Sequence, residues 1–102
     1  MNSQLDIAKT ILDQIGGRRF IAMTGASNLV YGNNMLSFRL PGNFARRKIT
    51  VVRITLTDAD LYDMEFGKIF KGDYKLVDHV DGLYFDQLQA VFTDMTGLET
   101  QL

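Results

Sequence analysis

The 102-residue chain contains no cysteine, which removes disulfides, thiolate zinc sites and a cysteine nucleophile from consideration. No apolar run approaches the roughly 18–20 residues that span a bilayer. The opening stretch, MNSQLDIAKTILDQIGG, holds two acids and no basic leader ahead of its apolar positions. These absences predict a protein without a membrane segment or a secretory leader, expected in the cytoplasm. No G-x-G-x-x-G fingerprint occurs, and His79 is the only histidine.

What is present is the make-up of a folded protein, 46% hydrophobic and 23% charged. That suffices for one modest core, and residues 1–102 are read as a single α+β domain. The net charge of −1 conceals an asymmetry. Residues 1–53 carry eight cations against two acids, a net +6, whereas residues 54–102 carry three lysines against ten acids, a net −7. Two readings follow: a dipolar surface that offers one side to an anionic partner, or two halves that interleave in space and neutralise each other.

Ser3 to Ile15 reads as a helix, because Leu5, Ala8, Ile11, Leu12 and Ile15 fall on one stripe. Ser3 and Asp6 resemble a capping box, and Gly16-Gly17 supplies a stop. Phe20–Met23, Leu29–Tyr31, Leu36–Leu40 and Ile49–Leu56 read as antiparallel strands separated by Gly, Asn and Pro. Leu36, Phe38 and Leu40 point inward with Arg39 outward, and Val52, Ile54 and Leu56 oppose Val51, Arg53 and Thr55. Gly32-Asn33-Asn34 is a tight hairpin turn, and Pro41-Gly42-Asn43 ends the third strand. Thr57 to Phe66 is expected to be helical, with Asp58, Asp60, Asp63 and Glu65 as capping and solvating acids at its start. Gly67 and Gly72 then bracket a loop containing Ile69 and Phe70, and Tyr74–Val80 is a short strand. A final helix from Leu83 to Thr96 closes at Gly97, with Leu98 as its hydrophobic partner. The expected architecture is an N-terminal helix, an antiparallel meander of about four strands, and a helical C-terminal part packing on the sheet.

The string FIAMTGASN, residues 20–28, has the look of a nicotinamide-binding turn. That fold needs a strand, a glycine-rich turn and then a helix whose N-terminus receives the pyrophosphate. Here Thr24-Gly25-Ala26-Ser27 leads instead into a strand and the turn at Gly32, and Leu40-Pro41-Gly42-Asn43 stands where the ribose-binding acid belongs. A buried-strand-to-turn transition pivoting at Gly25 is the reading adopted. Asp78, His79 and Asp81 do not converge as metal ligands, since neighbours on a strand point to opposite faces. No catalytic residue, cofactor or metal is assigned.

The basic residues are the remaining candidates. Arg39 and Arg53 are placed to share the solvent face of the sheet, Arg46, Arg47 and Lys48 precede the fourth strand, and Arg18 and Arg19 enter the first. Together they are candidate contacts for an anionic partner, either nucleic acid or an acidic protein surface. A homodimer is also expected, because an open meander leaves edge strands to be paired, covered or charged.

Three ordered strings, ILDQIGGRRFIAMTGASNLVYGNNMLSFRLP, VVRITLTDADLYDMEFGKI and LQAVFTDMTGL, resemble a group of small proteins encoded by bacteriophages, prophages and related mobile elements. The similarity runs from the first helix to Gly97-Leu98 and carries no catalytic or binding motif. It implies work in the cytoplasm of an infected or lysogenic bacterium, and such proteins commonly bind host proteins or nucleic acid, some as inhibitors of host defence. The expected function is therefore binding without catalysis, to a host or phage protein. Nucleic-acid binding through the basic N-terminal half is the alternative, and a small ligand-binding domain or enzyme a weaker third.

Overall fold

The computed structural model describes residues 3–42 and 44–100. Helix α1 spans Gln4–Ile15 and is opened by Ser3, whose hydroxyl accepts from the Asp6 amide at 3.1 Å while the Asp6 carboxylate accepts from the Ser3 amide. This satisfies two amides that the first turn otherwise leaves unpaired. Ala8, Ile11 and Ile15 form its buried face.

The first departure from expectation follows at once. Gly16 and Gly17 do not stop helical structure; they kink it, with φ of 131° and 61°, and a second helix, α2, runs from Gly17 to Thr24. Phe20–Met23 is therefore helical, and Arg18 and Arg19 lie on a helix rather than at the entry to a strand. The physical reason is spacing: Phe20 and Thr24 are both buried, one turn apart, and the Thr24 hydroxyl donates to the Phe20 carbonyl at 2.8 Å. Gly25 caps the helix in the left-handed conformation. FIAMTGASN thus runs helix, turn, strand, the reverse of the order a dinucleotide turn requires.

Five strands follow: β1 Ser27–Gly32, β2 Met35–Arg39, β3 Val51–Leu56, β4 Tyr62–Phe70 and β5 Asp73–Leu83. Each pairs antiparallel with the next in a single sheet of order β1-β2-β3-β4-β5. The turn at Asn33-Asn34 has positive φ at both central residues, as the right-handed twist of a two-residue hairpin favours. Between β2 and β3 lie Pro41 and Gly42 and a single 3₁₀ turn at Arg46–Lys48; Asn43, expected in the turn that ends β2, lies outside the described residues.

The second departure is Thr57–Phe66, where a helix was expected. Thr57 closes a loop by hydrogen bonds to Leu61, and β4 begins at Tyr62. Tyr62, Met64 and Phe66 are buried, alternating with Asp63 and Glu65, which is a strand period. The acids imitate a capped first turn, but the core reads every second residue. Ile69 and Phe70 likewise belong to β4 rather than to a loop between Gly67 and Gly72. The meander therefore has five strands instead of about four, and β5 is longer than Tyr74–Val80.

Leu83 ends β5 instead of starting a helix; a 3₁₀ turn at Phe85–Gln87 leads into helix α3, Leu88–Thr96, which Gly97 caps as expected. Tyr84, within the range expected for that helix, precedes the 3₁₀ turn and is exposed. The helices pack on one face of the sheet. Phe20 from α2, Phe38 from β2 and Phe92 from α3 meet at its centre, with Phe20 edge-on to the other two rings at 5.1 Å. Such contacts add to the area each ring buries. Among the described residues no helix covers the opposite face of the sheet. The result is an α+β fold with one covered and one open sheet face.

Candidate functional site

The open face is built by the residues that alternate with the core positions. Arg39 on β2 and Arg53 on β3 both project from it, flanking Ser37 and Val51. Across β3 and β4, Arg53 stands opposite Glu65 and Thr55 opposite Asp63. Across β4 and β5, Glu65 stands opposite His79 and Ile69 opposite Tyr74. One side of this face is a shallow groove of about 450 Å³ lined by Val30, Arg39, Arg53, Ile69 and Tyr74 among others. The other side holds Asp63, Glu65, His79 and Asp81 around Leu76. The face is therefore basic at β2–β3 and acidic at β4–β5, with Arg53 and Glu65 at the seam, 3.9 Å apart.

Tyr74 ties the two sides together. Its ring lies across Gly67, where any Cβ would overlap the ring, and its hydroxyl donates to the Glu65 carboxylate at 2.6 Å. Burial of the ring, reinforced by the hydrogen bond and the negative charge of Glu65, pushes the phenol up to about 12. Apolar side chains remain exposed around it: Val30 and Leu76 are each 53% accessible and Tyr74 44%.

The seven basic candidates do not form one surface. Arg39 and Arg53 share the open face, as the strand pattern predicts. Arg18 and Arg19 are exposed on α2, which packs with the helical layer. Arg46 folds against the end of α3, donating to the Asp94 carbonyl at 3.2 Å, where a cation complements the negative end of the helix dipole. Arg47 reaches across to Asp78 on β5 with an N–O distance of 3.1 Å. The Asp78 carboxyl is held below its usual range by the His79 amide and then by Arg47. Lys48 is exposed, with a positive φ of 59°. The two oppositely charged halves of the chain thus share one sheet and meet along β3 and β4.

Sequence reasoning passed over Val30, Ile69, Tyr74 and Leu76, because Ile69 was assigned to a loop and the pairing of β4 with β5 was not read. The period-two pattern from Tyr62 onward is the signal for Ile69; Val30, Tyr74 and Leu76 lie in segments already read as strands, and only the strand pairing fixes the face they occupy. His79 and Asp81 approach each other at 3.3 Å on the open face, while Asp78 turns to Arg47 on the other. Among the described residues no three acidic or imidazole groups are gathered to hold a metal. No helix among them is long and apolar enough to cross a membrane. Searches of protein-family models, of curated proteins and of solved structures returned no match to this chain.

Proposed function

We propose that the chain is a non-enzymatic accessory protein of the phage type, acting in the bacterial cytoplasm by binding a host or phage protein, such as a factor of host defence. The observation that carries this reading is the open sheet face, where Val30 on β1 and Tyr74 and Leu76 on β5 are exposed beside its basic and acidic sides. Apolar side chains interleaved with both signs of charge suit a protein surface, which offers complementary apolar and charged groups. A phosphate backbone would meet repulsion from Asp63, Glu65 and Asp81 on the same face, so Arg39 and Arg53 favour a protein over nucleic acid there.

The test is site-specific photo-crosslinking in bacteria with the reactive group at Val30 or Leu76 and, as a control, at Arg18 on the helical layer. One partner captured from both open-face positions, with its capture from Val30 lost on Leu76→Glu, is the expected result. Capture that is equal from Arg18, or indifferent to Leu76→Glu, overturns the reading. A homodimer along the free edge of β1 is a second reading, carried by exposed Leu29 and Tyr31 beside Leu5 of α1. Light scattering that reports a monomer rejects it.

A further inference from the structure

The three lysines of the acidic half, Lys68, Lys71 and Lys75, all lie in the β4–β5 hairpin, whose turn is Lys71-Gly72. Lys68 and Lys75 are direct cross-strand partners, a like-charge pairing that works against the hairpin. Among the described residues no carboxylate forms an ion pair with any of the three. Instead, the ammonium groups of Lys71 and Lys75 rest over the ring of Phe70, at 5.4 and 5.3 Å from its centroid. Phe70 is 51% exposed. By strand alternation Lys68 and Phe70 continue the face that Phe66 presents to the helices, beyond the core. Asp78 pairs with Phe66 on that face, and its ion pair brings Arg47 to the same end of the molecule. Two cations of the hairpin, Lys71 and Lys75, therefore gather around one accessible aromatic ring, with Lys68 across the strands from Lys75.

We infer that this hairpin is a binding site for single-stranded nucleic acid, with Lys68, Lys71 and Lys75 contacting phosphates and Phe70 stacking on a base. Cations beside an exposed aromatic ring are the elements such sites combine. The unpaired, mutually repelling lysines gain what they lack when phosphates arrive, and their departure from Phe70 uncovers the ring. An anionic membrane is disfavoured as the occupant, because the tip leads with Lys71-Gly72-Asp73 and its exposed ring, Phe70, lies under the ammonium groups of Lys71 and Lys75. The site is separate from the open sheet face, and its test stands independently of the crosslinking experiment.

The experiment is fluorescence anisotropy of the intact protein with a labelled single-stranded oligonucleotide of about 12 nucleotides, a length within the range such sites occupy. Salt dependence near −2 on a log–log plot is expected from three phosphate contacts at about 0.7 each. At about 0.1 M salt the triple variant Lys68→Ala, Lys71→Ala, Lys75→Ala is expected to bind about a hundredfold more weakly on the same arithmetic. Phe70→Ala should lose about tenfold through stacking. Asp73→Asn, one exposed change at the tip, should tighten binding, and it serves if the triple variant fails to fold. Absence of binding by the intact protein, indifference to the triple variant, or no gain from Asp73→Asn overturns the proposal. So does capture by phosphatidylserine vesicles without binding of the oligonucleotide, or preference for a duplex with no effect of Phe70→Ala.

Discussion

Gly67 offers the sharpest test of the structure, because its role depends on one neighbour. It lies inside β4, where glycine ordinarily weakens a strand by about 0.5–1 kcal/mol relative to alanine. Judged by propensity alone, Gly67→Ala should stabilise the protein. The Tyr74 ring occupies the space that a Cβ would enter, so the added methyl must push the ring off the sheet. Overpacking of this kind costs about 1–3 kcal/mol, and displacement also puts at risk the 2.6 Å hydrogen bond to Glu65. The net expectation is destabilisation of about 1–2 kcal/mol, or a fall in Tm of several degrees at about 4–8 °C per kcal/mol for a domain of this size. Removing the ring reverses the sign: in a Tyr74→Ala background, Gly67→Ala should be neutral or stabilising by about 0.5–1 kcal/mol. Urea titration of the four proteins completes a double-mutant cycle whose coupling should exceed about 1.5 kcal/mol. Equal effects of Gly67→Ala in both backgrounds would refute the packing of Tyr74 over β4.

Three further outcomes are expected. The phenol of Tyr74, pushed from the ordinary 10 up to about 12, contributes stability that is complete below pH 10 and is lost as pH rises from 10 through 12. Denaturation midpoints across that range should fall, and Tyr74→Phe should lessen the fall. Phe20→Ala removes a fully buried ring in edge contact with Phe38 and Phe92. It should cost about 3–5 kcal/mol, and a loss under about 1 kcal/mol in urea would contradict the packing of α2 on the sheet. Ser3→Ala removes the acceptor of the Asp6 amide. A loss of about 1 kcal/mol is expected by thermal unfolding.

Recognition of each element depended on whether its own residues carried enough information. Helix α1, with a long apolar stripe and a local capping box, is legible, as are the alternation of β2 and β3 and the turn at Asn33-Asn34. Each rests on contacts between residues close in the chain or on a period sustained over several residues. Phe20–Met23 was misread because a four-residue apolar run has no period of its own. Only the core, by taking Phe20 and Thr24 from the same side, makes it a helix. Thr57–Phe66 was misread because its acids satisfy a helix start locally, whereas the sheet selects Tyr62, Met64 and Phe66.

The amino-acid order alone therefore determined an α+β protein with a leading helix, an antiparallel meander, a capped final helix, and Arg39 and Arg53 on one sheet face. Only the tertiary structure decided that the sheet has five strands with one face open, that Arg46 and Arg47 are engaged by α3 and β5, and that Tyr74 lies over Gly67. It also decided that the lysines of an acidic segment gather at the hairpin tip beyond the core. Those placements depend on strand register and on bulges in β5 between Leu76 and Asp78 and near Gly82. A register shift of one residue sends every side chain to the opposite face, and pairing energy between distant strands, not local preference, selects it.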